Sequence, residues 1–398
     1  MTTDTLSPLD QLRVLIATDE ALQDRLAAAG EVQEMSHLAV EVAAAAGIAL
    51  TAEEIRAATR FDPVGFDQYV PTPPNFARPP GRHWLPVALA QTMAGPAVDW
   101  RHFGEARLKE SFFQDTVHWS RGQPLSNLLK VRTPLGALLE LGAAPDAAVP
   151  DALIFHMSRC GSTLVSQMIA AMPGSIVASE APPLDAILQL CLSNPQIPIE
   201  QQVALIRGMA AALGRDRFGD RRRFVIKTDS WHSLGLPLLR AAFPETPWLF
   251  LFRDPVEVMV SQMRMRGSQA VPGMGPDALY AIDDPLSYSA EDYTAMVLAK
   301  VCTAAIDHAP LGGGLFVDYA ELPQAVEARI LPHFGIDPDA EGLAALRAAS
   351  GQDAKNPKFS FTADGATKRR EANEDVQRAV ATHLADVHRR LTGLAAGR

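Results

Sequence analysis

The hydrophobic positions of this chain change period partway along it. Between residue 6 and about residue 60 they recur at helical spacing and are broken by helix punctuation. Ser7-Pro8 opens a first helix, Thr18 or Asp19 caps a second that runs through Leu26, and Gly30 ends it. Met35, Leu38 and Val42 line one face of a third, with Gly47 just past its end. Thr51 and Glu54 form a capping box for a fourth, which carries Ile55 and Ala58. Residues 1–61 are therefore expected to be a small all-α domain.

Prolines then interrupt the pattern. Pro63, Pro71, Pro73, Pro74, Pro79 and Pro80 make residues 62–83 a linker or a strap laid over the next domain, with Tyr69, Phe76 and Trp84 able to pin it. Residues 84–150 are harder to read. A helix-then-turn pattern at 111–116 and spaced leucines over 125–141 predict a mainly helical lead-in with elements of an acceptor pocket, in which His102, His118 and Trp119 are unassigned.

From residue 151 to the end the signal is regular. Short, nearly continuous apolar runs at 152–155, 175–179, 223–228, 247–253 and 314–319 predict strands, and 164–171, 184–192, 203–213, 234–243, 256–265 and 292–308 predict the helices between them. That alternation implies an α/β fold: a central parallel sheet flanked by helices, three-layered as in P-loop NTPases. Ligands of such sheets bind beyond the C-terminal strand ends, where the loops after Phe155, Ser179, Thr228 and Phe252 emerge.

Composition narrows the picture. A net charge of -10 argues against a nucleic-acid partner, so any polyanion site must be local. Cys160, Cys191 and Cys302 are far apart, which suggests neither a zinc site nor a disulfide framework, and no metal is expected. Neither a membrane-spanning run nor a basic leader is visible, which points to the cytoplasm and away from a membrane partner; a homodimer is allowed.

Two segments carry anion chemistry. The strand at 152–155 leads through Arg159, Gly161, Ser162 and Thr163 into a helix start, where unpaired N–H groups and hydroxyls can hold phosphate; the plain alternative is a turn capped by Ser162. Where a Walker loop has lysine before the hydroxyl residue, this chain has Gly161, preceded by Arg159 and Cys160, and no magnesium-binding carboxylate stands out. Cys160 reads as a small neutral side chain in a crowded turn. Further on, Arg253 ends a strand and Ser261 lies two helical turns later, a spacing that lets both reach one compact anion.

Together, SRCGSTL, IKTD, FRDPVEVMVS, VDYAEL and KNPKFSFTADGATKRR resemble the sulfotransferase family, over about residues 150–390. The resemblance implies 3'-phosphoadenosine 5'-phosphosulfate as donor, its phosphosulfate end on Arg159, Cys160, Gly161, Ser162 and Thr163 and its 3'-phosphate on Arg253 and Ser261. Lys227 would lie beside the donor, and Lys358, Lys368 and Arg369, with Lys355 and Arg370, would form a flap over the 3'-phosphate; the alternative is a solvated charge run before a last helix at 371–391. Arg159 would neutralise charge during in-line transfer to a hydroxyl or amine.

Cytosolic members take their base from a KTH segment, and here Lys227 and Thr228 are followed by Asp229. Glu180, placed like the glutamate base of protein-tyrosine sulfotransferases, is favoured because burial in a cleft raises a carboxyl toward working pH. Asp229 competes, directly or by orienting His232, unless it caps the helix that follows. Arg215, Arg217 and Arg221 to Arg223 read as surface charge. The first helices resemble a Nif11-like domain, known chiefly as a leader of modified peptides, although a generic helical cap fits them too; the acceptor is expected to be a small molecule or peptide-linked. The competing functions are a P-loop kinase or NTPase and a non-enzymatic nucleotide- or peptide-binding module.

Overall fold

The computed structural model describes residues 6–60, 75–351 and 365–397. Four helices come first: α1 (Pro8–Ala17), α2 (Glu20–Ala27), α3 (Val32–Ala45) and α4 (Ala52–Ala58). Their starts follow the caps. Ser7 Oγ accepts from the amide of Asp10 at 3.2 Å, and Asp19, not Thr18, caps α2 by accepting from Leu22 N at 3.1 Å. The box at α4 is reciprocal, with Glu54 N donating to Thr51 Oγ1 at 3.2 Å and Thr51 N to Glu54 Oε2 at 2.8 Å. Leu12, Ile16, Leu26, Met35 and Ile55 are buried in a core continuous with that of the rest of the chain. Arg13 Nε donates to Leu128 O at 2.8 Å and Trp84 Nε1 to Gln23 Oε1 at 3.1 Å, so these helices are docked as a cap on the segment that follows.

That segment is not mainly helical. Strands β1 (Trp84–Thr92), β2 (Gly95–His102) and β3 (Val131–Pro134) form an antiparallel sheet, with α5 (Phe113–Ser120), α6 (Pro124–Leu128) and α7 (Ala137–Gly142) around it. Breakers hid the hairpin. Pro86 sits where the β1–β2 register shifts, at a bulge that spares it a ladder bond, and the Thr92↔Gly95 pair closes a tight turn without the usual Asn-Gly signal. The leucines over 125–141 divide among α6, α7 and the residues that flank β3, because Pro134 and Gly136 prevent one continuous helix.

Arginines expected at the surface tie this sheet to the main domain. Arg217 is 4% exposed and donates to the carbonyls of Gly104, at 3.2 Å, and Ala106. Arg215 donates to Pro80 O at 2.8 Å and Gly81 O at 2.5 Å. Burial draws both guanidiniums down to about 10. Arg223 is buried and donates to Pro173 O and Ser175 Oγ, both at 3.0 Å. Of the proposed pins, Phe76 packs on the core and Trp84 is fully buried; Tyr69 lies outside the described residues.

The main domain is the α/β unit that the alternation implies. Strands β4 (Ala152–His156), β5 (Ser175–Ser179), β6 (Arg223–Lys227), β7 (Trp248–Phe252) and β8 (Gly314–Asp318) make a parallel sheet of order β5-β6-β4-β7-β8. Its helices include α8 (Ser162–Ala171), α9 (Pro182–Ser193), α10 (Ile199–Leu213), α11 (Leu236–Ala242) and α12 (Pro255–Arg264). Every residue of β4, β6 and β7 is buried, as strands covered on both faces require. The chain moves outward from β4 in one direction to reach β5 and β6 and in the other to reach β7 and β8. A crevice therefore opens at the C-terminal end of β4.

The lead-in docks on this domain where α7 meets α10. A Cβ on Gly208 would lie 2.1 Å from Leu138 O and one on Gly142 2.8 Å from Gly208 N, so the two backbones touch. Gly208→Ala is expected to cost about 1–3 kcal/mol through overpacking, read as a lower denaturant midpoint in urea unfolding. The exposed Gly219, with nothing near its Cβ position, supplies the control in a Gly219→Asn variant, which keeps its positive φ tolerable and should unfold close to wild type.

Candidate functional site

The crevice holds a cavity of about 550 Å³. Its floor is the turn between β4 and α8, where Ser158 (φ 75°), Arg159 (φ 51°) and Gly161 (φ 86°) are all left-handed. Such a turn gathers backbone N–H groups toward one point, and the first amides of α8, which have no helical partner, extend that set. Only glycine fits at 161: a Cβ there would stand 2.7 Å from Tyr319 Cδ2 and 2.9 Å from Leu322 Cδ1. Ser162 and Thr163 follow, and both line the cavity.

Arg253, at the end of β7, lines the same cavity, as do Ser261 on α12 and Lys368. The Arg253 guanidinium lies 4.0 Å from the centre of the Tyr319 ring, so one tyrosine closes on the β4–α8 turn and on this arginine. Glu257 accepts from Arg253 Nε at 2.7 Å and also meets Arg369 at 2.9 Å. Arg369 thus acts beside the cavity, through Glu257, rather than lining it. Residues 365–371 form a short helix (Gly365–Glu371), where the sequence shows little helical periodicity. Lys355 and Lys358 lie outside the described residues.

Arg159 lines the cavity and donates through Nη2 to Met265 O at 2.7 Å; burial lowers its pKa against the pull of Glu180. Cys160 turns inward, fully buried, its thiol donating to Leu251 O at 3.1 Å and pushed up to about 12 by burial. That is a packing role, and only its backbone faces a ligand's side of the turn.

Glu180 lines the cavity with its side chain 24% exposed, in a left-handed conformation (φ 48°). Beneath it the Lys227 side chain is wholly buried and ion-paired to Oε1. His156 Nε2 lies 3.4 Å from the same oxygen and 3.0 Å from Thr228 O, while His156 Nδ1 accepts from Ser158 N at 3.0 Å. Because Nδ1 accepts, the ring proton sits on Nε2 and points at the two oxygens. Burial alone would raise the Glu180 carboxyl, but the Lys227 ammonium and His156 outweigh it and hold it well below the usual carboxylate range. This reverses the expectation that burial brings Glu180 up toward working pH.

It is Asp229 that burial and the Glu180 charge push upward. Asp229 lines the cavity and also caps the short 3-10 turn Ser230–Gly235, accepting from Ser230 N at 2.5 Å. His232 is not oriented by the Asp229 carboxylate. Its Nε2 lies 3.1 Å from Asp185 Oδ1, and its Nδ1 accepts from Asp229 N at 3.2 Å. His156, Phe112 and Gln269 had not been singled out. Phe112 lines the cavity with its ring 5.1 Å from Lys227 Nζ, and Gln269 joins Gln262 in donating to Ser158 Oγ. His156 ends a strand already placed at this edge, which was the signal available.

The sequence profile of the sulfotransferase family matches residues 150–340. These residues form a sulfotransferase domain. No curated protein matches the chain. Among solved structures, the sulfotransferase domain of the curacin biosynthetic pathway is 15% identical, with 60% of this chain and 98% of that chain covered and a TM-score of 0.33. A sulfotransferase from Mycobacterium avium is 15% identical over 62% of this chain and 78% of its own, at 0.39. One from Alicyclobacillus acidocaldarius is 12% identical over 63% and 96%, at 0.37. Scores this low add no weight to the family match. In the sulfotransferase domain the match takes in the β4–α8 turn, Glu180, Lys227, Asp229, Arg253 and Ser261; Lys368 and Arg369 lie beyond it.

The buried pair makes stability depend on pH in a definite sense. Glu180 is held ionised in the fold but takes up a proton at an ordinary carboxylate pH when unfolded. Its contribution is therefore full above about pH 4.3 and is lost as pH falls toward its depressed native pKa. Glu180→Gln leaves the Lys227 ammonium buried and unpaired, at an expected cost of about 3–5 kcal/mol. Glu180→Gln with Lys227→Met removes both charges and should recover most of that loss in chemical denaturation, and should show a flatter acid limb than wild type. Equal stability of the single and double variants would contradict the pairing.

Proposed function

We propose that the domain moves a sulfuryl group from 3'-phosphoadenosine 5'-phosphosulfate to a hydroxyl or amine of its acceptor by in-line transfer. The observation that carries this reading is that two anion-holding ends share one cavity: the left-handed turn and α8 start at Arg159 to Thr163, and Arg253, Ser261 and Lys368. A cradle that excludes a Cβ at Gly161 suits close approach of a charged group to backbone amides. The donor supplies an activated sulfuryl whose sulfur–oxygen bond to the 5'-phosphate breaks as the bond to the acceptor forms.

The chain's own part is to bind, neutralise and accept a proton. Arg159 balances charge at the sulfuryl end, while Arg253 and Ser261 orient the 3'-phosphate. Glu180, already ionised, takes the acceptor proton late in a loose transition state, when the nucleophile has become acidic; this borrows the logic of phosphoryl transfer. Lys227 and His156 hold its Oε1. The cytoplasm is the compartment this reading implies, and Phe112, Met265 and Gln269 are the acceptor-side walls it selects.

Thermal-shift titration separates the competing functions. Adenosine 3',5'-bisphosphate should stabilise the protein without magnesium, whereas stabilisation by ATP-magnesium alone would favour a kinase and sink the assignment. Ser261→Ala should weaken bisphosphate binding about ten- to a hundredfold, the loss of one hydrogen bond to a charged group. With labelled donor, the Glu180→Gln, Lys227→Met double variant should bind the bisphosphate yet lose transfer. Normal turnover by that variant would move the base to Asp229.

A further inference from the structure

A second cavity, of about 660 Å³, opens between the N-terminal helices and the turn joining α5 to α6, and it shares no lining residue with the first. Arg56 lines it from α4 and Arg60 from just beyond that helix; His118 and Trp119 line it from α5, and Arg121 from the α5 cap. Among the described residues no aspartate or glutamate contributes to its wall. None of the three guanidiniums pairs with a carboxylate among the described residues, whereas several surface arginines elsewhere do, as in Arg25–Glu41, Arg107–Asp220, Arg222–Asp339 and Arg347–Glu327. In a chain with 46 acidic and 36 basic residues, this hollow gathers three guanidiniums that meet no carboxylate among the described residues. Their mutual repulsion is unfavourable until an anion enters.

The aromatic content points the same way. Trp119 is 51% exposed, while the other four tryptophans, at positions 84, 100, 231 and 248, are 3% exposed or less. A half-exposed indole beside guanidinium forks offers a flat face for a ring next to donors for an oxyanion. The volume lies within the range of about 300–1,000 Å³ usual for small-molecule sites.

We propose that this cavity binds a small organic anion, a planar ring carrying a phosphate or a carboxylate, independently of the sulfuryl donor. α5 is eight residues long, or about 12 Å, and Phe112 at its start lines the donor cavity while Trp119 near its other end lines this one. An occupant therefore changes Trp119 emission selectively.

The test is a fluorescence titration of the full chain with phenyl phosphate and, in parallel, with benzoate. Saturable quenching is expected with at least one probe, and the stronger of the two identifies phosphate or carboxylate as the preferred group. In Trp119→Phe the quenching should vanish. In Arg56→Ala with Arg121→Ala, whose side chains are not buried, calorimetry should show affinity about tenfold weaker or worse, while the thermal shift given by adenosine 3',5'-bisphosphate is unchanged. No saturable quenching by either probe, quenching that survives in Trp119→Phe, or undiminished affinity in the arginine variant would each overturn the proposal.

Discussion

The left-handed turn between β4 and α8 is the constraint on which the site depends. Three residues there, Ser158, Arg159 and Gly161, have positive φ, and two of them are not glycine, so the turn must be held by its surroundings. The holding groups are identifiable. Gln262 and Gln269 donate to Ser158 Oγ, the Ser158 amide bonds His156, Arg159 reaches Met265 O, and Tyr319 fills the space where a side chain at 161 would go. These contacts come from the ends of β4 and β8, from α12 and from the residues just after it. The phosphate-type turn is thus a property of the assembled sheet edge rather than of its local sequence.

Tyr319 makes the two ends of the cavity one object. Its ring closes against Gly161 on one side and carries the Arg253 guanidinium on the other. The motif VDYAEL, which in sequence is a strand end given no ligand role, places that ring. Distance between the turn and Arg253 is consequently set by a rigid aromatic side chain.

What could be read from the sequence follows from how local each determinant is. The strands β4, β6 and β7 were legible because burial on both faces writes continuous apolar runs, and the helix starts because Ser7, Asp19 and Thr51 act within one turn. The gathering of Arg159, Gly161, Ser162, Thr163, Arg253 and Ser261 at one edge followed from the strand-end rule once the sheet was parallel. The β1–β2 hairpin was illegible because Pro86 and Pro96 look like breakers until the bulge and the partner strand are known. Arg215, Arg217 and Arg223 looked like surface charge because the carbonyls they satisfy lie on other segments, 50 residues away for Arg223 and more than a hundred for Arg215 and Arg217. The state of Glu180 was misread for the same reason: burial was foreseeable, but the ammonium of Lys227 directly beneath it was not.

Carboxylates beside cations decide the electrostatics more than burial does. Lys227 is set against Glu180, and Arg253 and Arg369 against Glu257, with both of those carboxylates reached through short contacts. Each pair bears a desolvation cost, and a cation without its carboxylate would bear more. Cations still outnumber carboxylates around the cavity, where Arg159, Lys227, Arg253, Lys368 and Arg369 face Glu180, Asp229 and Glu257, so an acidic chain holds its positive charge locally here. An arriving anion competes with Glu257 for Arg253, but meets the α8 amides with no carboxylate in the way. The turn, unlike Arg253, thus offers donors that no carboxylate among the described residues already engages.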